Sequence, residues 1–90
     1  MKIEHLVAFG FAGQPVTCPA YNSFEFPSQH HVALFLLSRF NHFQFIDSFS
    51  VFTDNNRYMN ITRQGYTIVY NHDWNDYDKQ FANAKNNFKI

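Results

Sequence analysis

Cys18 is the only cysteine among the 90 residues, so no disulfide can close within the chain. A lone thiol fits a reducing compartment, and a cytoplasmic location is expected on that ground. There are three glycines and three prolines, too few and too scattered for a phosphate-cradling loop or a flexible linker. One domain without internal repeats is expected. Charge of one sign is also missing, with seven acidic residues balancing seven lysines and arginines. That excludes steering by net charge, the basic footprint of a dedicated nucleic-acid binder and the acidic surface of a DNA mimic. Long apolar runs are absent too. Glu4 and His5 interrupt the first, in MKIEHLVAFGF, and the second, ALFLL, is shorter still. Neither approaches the roughly 20 residues a bilayer span requires, so a soluble protein with no membrane association is expected.

What the chain has in abundance is aromatic surface: 20% of residues, twelve of them Phe. A buried Phe contributes about 1.5–3 kcal/mol of transfer free energy, so a few can stabilise a small core without metal or cofactor. The stretch to pack around is residues 28–42. With Leu36 at the centre of a helical wheel, Val32, Ala33, Phe40 and Phe43 fall on one stripe. Ser28 is a suitable N-cap after Pro27, and Asn41 a suitable terminator. Leu37 and Phe35 edge the stripe, while Leu34 points nearly opposite. The N-terminal loop is expected to cover Leu34. The sharper alternative makes Leu34 and Phe35 a binding patch or a homodimer contact.

Strands are expected on both sides of this helix. Residues 3–11 place Ile3, Val7, Phe9 and Phe11 on one face and Leu6 with Ala8 on the other, as in an interior strand. Gly10 and Gly13 lead into a loop with two prolines, and Phe24-Glu25-Phe26 can form a short edge strand that Pro27 limits. Beyond the helix the apolar period falls to two. Phe45, Phe49 and Val51 alternate with Ile46, Ser48 and Ser50, and Asp47 falls in the apolar phase. A bulge, a later strand start or a buried partner would each explain Asp47. Residues 58–62 and 66–70 complete a meander across turns at residues 53–56 and 63–65. A second helix is expected from Asp73, with Trp74, Tyr77, Phe81, Ala84 and Phe88 as its stripe. The fold class is therefore α+β: an antiparallel sheet of three to five strands with two helices packed on one face, in the order β–(β)–α–β–β–β–α.

The α–β–β–β–α portion resembles double-stranded-RNA-binding domains in element order alone. Such domains carry a basic cluster where their second helix begins, placed to grip phosphates. Here that position holds His72-Asp73-Trp74-Asn75-Asp76, with Asp78 close behind, and carboxylates there repel a phosphate backbone. No residue is carried over from that family.

Other candidate chemistry is sparse. The five histidines lack the close pairing of a zinc site; His30 and His31 diverge by about a hundred degrees on a helix. The His72, Asp73, Asp76 and Asp78 cluster is explained by a helix N-terminus and lacks the glycine of a calcium loop. Cys18 has no base at defined spacing, and no serine elbow is present. No metal, cofactor or catalytic residue is expected, and the protein is read as a non-enzyme.

The remaining signal is aromatics interleaved with positive charge on the meander: Tyr58, Tyr66 and Tyr70 with Arg57 and Arg63. Tyr and Arg are frequent interface anchors, so a protein partner is expected there, with Leu34 and Phe35 as a second patch. The alternative uses the same residues to stack the bases of a single-stranded or double-stranded nucleic acid. The preferred reading is a small non-catalytic binding module, an inhibitor or adaptor. In general character alone it is like phage and mobile-element proteins that block host machinery.

Overall fold

The computed structural model describes residues 1–19, 21–55, 57–69 and 88–89. Strand β1 (Ile3–Phe9) runs into a tight 3-10 turn at Phe11–Gly13 and returns as β2 (Pro15–Val16). β3 (Cys18–Pro19) follows, then helix α1 (Gln29–Arg39) and the meander β4 (Ser48–Thr53), β5 (Tyr58–Thr62) and β6 (Gly65–Val69). The five strands β2-β1-β4-β5-β6 form one antiparallel sheet in that order, and β3 pairs in parallel with β7 (Phe88–Lys89). The protein is thus α+β with an antiparallel sheet, and α1 is the only helix among the described residues. The second helix expected from Asp73 lies outside them, except that Phe88, assigned to its stripe, is extended and pairs with Cys18.

Helix α1 forms on the stripe but ends at Arg39, so Asn41 and Phe43, expected as its terminator and last stripe residue, lie beyond it. Ser28 is its N-cap, with the side chain accepting from the His31 N–H at 3.4 Å, and Val32, Ala33 and Leu36 are buried along one face. Phe40 at the C-cap joins them and meets the Phe49 ring at 5.2 Å between centroids. No described helix of this chain is long and apolar enough to cross a membrane.

Register assigns the two faces of the sheet. Leu6 lies opposite Val51, Val51 opposite Met59 and Met59 opposite Ile68, so these residues share the face that packs with α1. Val7, Ser50, Asn60 and Thr67 form the equivalent row on the other face. That second face is not bare: Val7, Phe52 and Tyr58 are buried there in a smaller cluster with Phe9 and Val69.

Several sequence expectations shift. Ile3 packs with Leu6 and Ala8 rather than with Val7, because an irregularity between Ile3 and His5 inserts Glu4 as an extra residue. Phe11 leaves the strand altogether. The Phe24–Phe26 segment is not a strand; its backbone is tied instead to the amino end, the Phe26 N–H donating to the Met1 carbonyl at 2.8 Å. β4 begins at Ser48, which resolves Asp47 as preceding the strand, and its N–H donates to the Phe9 carbonyl at 2.8 Å. Ile46 consequently belongs to the main core, not to the Ser48 and Ser50 face, and Phe45 is exposed.

Candidate functional site

The meander residues singled out above are not gathered on one surface. Tyr58 was expected on the surface but is buried on the far face of the sheet. Its hydroxyl bonds Ser50 Oγ at 3.2 Å and accepts from Asn60 Nδ2 at 3.4 Å, and its ring lies 5.5 Å from that of Phe52. Tyr66 projects from the opposite face, where its hydroxyl shares a 2.6 Å hydrogen bond with His30 Nδ1. Arg57 is half-buried just before β5. Arg63, at the β5–β6 turn, reaches back to the loop before β4. One guanidinium nitrogen donates to the carbonyls of Ile46 (2.7 Å), Gln44 (3.1 Å) and Phe43 (3.4 Å), while the guanidinium carbon sits 4.9 Å from the Phe40 ring centre. Tyr70 lies outside the described residues. Two tyrosines on opposite faces and an arginine engaged with backbone carbonyls do not make a stacking platform.

The second predicted pair is better placed. Leu34 is 57% exposed midway along α1, so the N-terminal loop does not cover it. That loop covers Phe35 instead. Tyr21, Phe24 and Phe26 approach the Phe35 ring at 5.0, 5.3 and 5.3 Å, and the Arg39 guanidinium lies 4.8 Å from its centre. Phe24 itself remains 47% exposed. Burial pushes the Tyr21 phenol above its usual range, and Arg39 draws it partly back. Phe24 and Phe35 thus form an aromatic ledge, and Leu34 is exposed on the same helix one residue before Phe35.

A second site was not anticipated. The Phe11–Gly13 turn and the loop before β4 face each other across a groove of ≈ 630 Å³ lined by Phe11, Gln14, Val16, Gln44, Phe45 and Asp47. Phe11 is 89% exposed and Phe45 55% exposed. The one sequence signal for this groove was Asp47, out of phase with the strand to which it had been assigned. Phe11 gave none, because a strand read two residues too long counts it on the face of Val7 and Phe9.

Among the described residues no group of three or more His, Cys, Asp and Glu could hold a metal. The His72, Asp73, Asp76 and Asp78 cluster lies outside them. Cys18 is buried against the sheet, where desolvation pushes its thiol up to about 11, against a smaller lowering by its hydrogen bond with the Ala8 backbone. A thiol held protonated is a poor nucleophile. Comparison with protein-family models, curated proteins and solved structures finds no match to this chain.

Proposed function

We propose that this chain is a non-catalytic module that binds one protein partner through the ledge on α1. The observation that carries this reading is Leu34. A large aliphatic side chain stands 57% exposed at the middle of a helix whose opposite face is fully buried, one residue before Phe35, whose ring meets the partly exposed Phe24. An apolar side chain on a rigid helix loses little conformational freedom when a partner covers it, and removal of its surface from water is favourable. Phe35, fixed by three aromatic neighbours and Arg39, supplies a preorganised floor beside it. In this reading the protein acts in the cytoplasm as an inhibitor or adaptor, with no cofactor. Self-association through the same ledge is the simpler relative of the idea.

Affinity capture with the wild-type protein and with Leu34→Glu tests it. One protein bound in stoichiometric amount by wild type and lost with Leu34→Glu, at unchanged thermal midpoint, is the expected result. Light scattering of the same pair separates a second copy from a foreign partner. Equal capture by both proteins overturns the reading. So does co-purifying RNA or DNA that dissociates steeply with salt while no protein is captured.

A further inference from the structure

The groove between the Phe11 turn and the loop before β4 lies apart from the helix ledge, and its chemistry is different. Two phenyl rings flank it, one carboxylate stands in it, and none of its lining residues is basic. Asp47 makes no ion pair among the described residues. We propose that this groove receives a single cationic side chain, guanidinium or ammonium, presented by a protein partner.

Ring faces carry the negative lobe of the aromatic quadrupole and attract cations within about 6 Å of the centroid. A carboxylate beside them adds a charge-assisted hydrogen bond, and the side-chain carbonyls of Gln14 and Gln44 can accept the remaining N–H groups. An anion would be repelled by Asp47, the one charged lining residue. A purely apolar ligand would strip water from Asp47 and two amides without replacing their hydrogen bonds. One carboxylate is too few for a divalent cation.

The frame is built before any ligand arrives. The Gly10 N–H donates to the Gln14 carbonyl at 2.8 Å and the Gly13 N–H to the Gly10 carbonyl at 3.0 Å, closing the turn. A Cβ at Gly10 would meet the Phe45 carbonyl oxygen at 2.8 Å and Val16 Cγ1 at 2.9 Å, so the two walls are pressed together at their base. The Asp47 N–H bonded to the Phe9 carbonyl fixes the carboxylate-bearing wall to β1. Ala12 holds φ of 62° and Gly13 of 72°, and a left-handed alanine is a strained conformation maintained by its surroundings. That turn is what displays Phe11. Strain and an exposed phenyl in one turn, facing a second exposed phenyl and a carboxylate, are the features of a preorganised binding site.

This inference rests on the binding-module reading but concerns another surface, and its test needs no partner, so either can fail alone. Amide NMR spectra are recorded during titration with Nα-acetyl-arginine amide and, separately, with its neutral isostere Nα-acetyl-citrulline amide. Saturable shifts at Gln14, Phe45 and Asp47 with the arginine probe, at least about fivefold weaker with citrulline, are expected for a charge-dependent site. Asp47→Asn and Phe11→Ala should each reduce the arginine response to the citrulline level. Equal responses to both probes, no saturable response, or a response undiminished in Asp47→Asn overturns the proposal. Should either variant lose the native spectrum, the comparison of the two probes on the unaltered protein decides alone.

Discussion

Replacing Arg63 with alanine removes a side chain that holds the β5–β6 turn against the loop before β4. Its three carbonyl contacts come from one nitrogen, so they are shared and weaker than three separate bonds, and the group is exposed enough for water to compete. A loss of about 1–2 kcal/mol in urea unfolding is expected for Arg63→Ala. Arg63→Lys should recover part of it, since an ammonium can reach Ile46 but lacks the planar fork. At Cys18 the sign follows from burial. The thiol titrates at about 11 in the fold against 9.0 for the unhindered group. Between those values the unfolded chain has released its proton and the native one has not, so stability falls as pH rises through that window, by about 2–3 kcal/mol at most. Cys18→Ala should lose this slope. Below pH 9 the slope is absent, and a thiol reagent at pH 8 should label Cys18 only when denaturant is added. Lone residues such as these were hardest to read from sequence. Arg63 was placed at a hairpin end, but that it turns inward to carbonyls 17 to 20 residues away depends on packing no local pattern encodes.

At the level of elements, α1 was the most legible, because the stripe through Val32, Ala33, Leu36 and Phe40 and the serine before it specify the same helix independently. Its cap carries an added contact, Ser28 Oγ lying 2.7 Å from His31 Nδ1, in the position a glutamate occupies in a capping box. Ser28→Ala should lower stability by about 1 kcal/mol and Ser28→Asp should largely preserve it, read as thermal midpoints near neutral pH. The meander was legible for a similar reason: short alternating runs between turn residues fix both strands and pairing. Strand ends were not. Phe11 and Phe45 continue an apolar alternation beyond the point where the backbone turns away, and alternation alone cannot show where hydrogen bonding stops. Those overextended ends are the residues that build the groove.

For the whole molecule, a sheet with a helix on one face leads one to expect the other face to tolerate truncation. The burial of Val7, Phe52 and Tyr58 says otherwise. Phe52→Ala on the far face should cost about 3–5 kcal/mol, as much as Phe49→Ala beneath the helix, when both are compared by urea denaturation. A loss below about 1 kcal/mol for Phe52→Ala would mean that this second cluster contributes little to folding. Sequence alternation sets Ser48 and Ser50 apart from Phe49 and Val51, and Ser48, Ser50, Thr67 and Val69 do share this face. What it could not see was Phe52, which shares that face with them.

The extra residue in β1 makes one position unlike every other in the strand. Ile3 lies opposite Thr53 and His5 opposite Phe52, adjacent partners across a gap of two, so Glu4 takes up chain length without taking up a place in the ladder. Shortening the gene by the codon for Glu4 would leave Ile3 facing inward. Removing the codon for His5 would do the same with Glu4 in its place, whereas removing that for Leu6 would carry His5 into an inward position. The irregularity therefore marks the place where this strand can lose one residue, Glu4 or His5, and keep its interior intact.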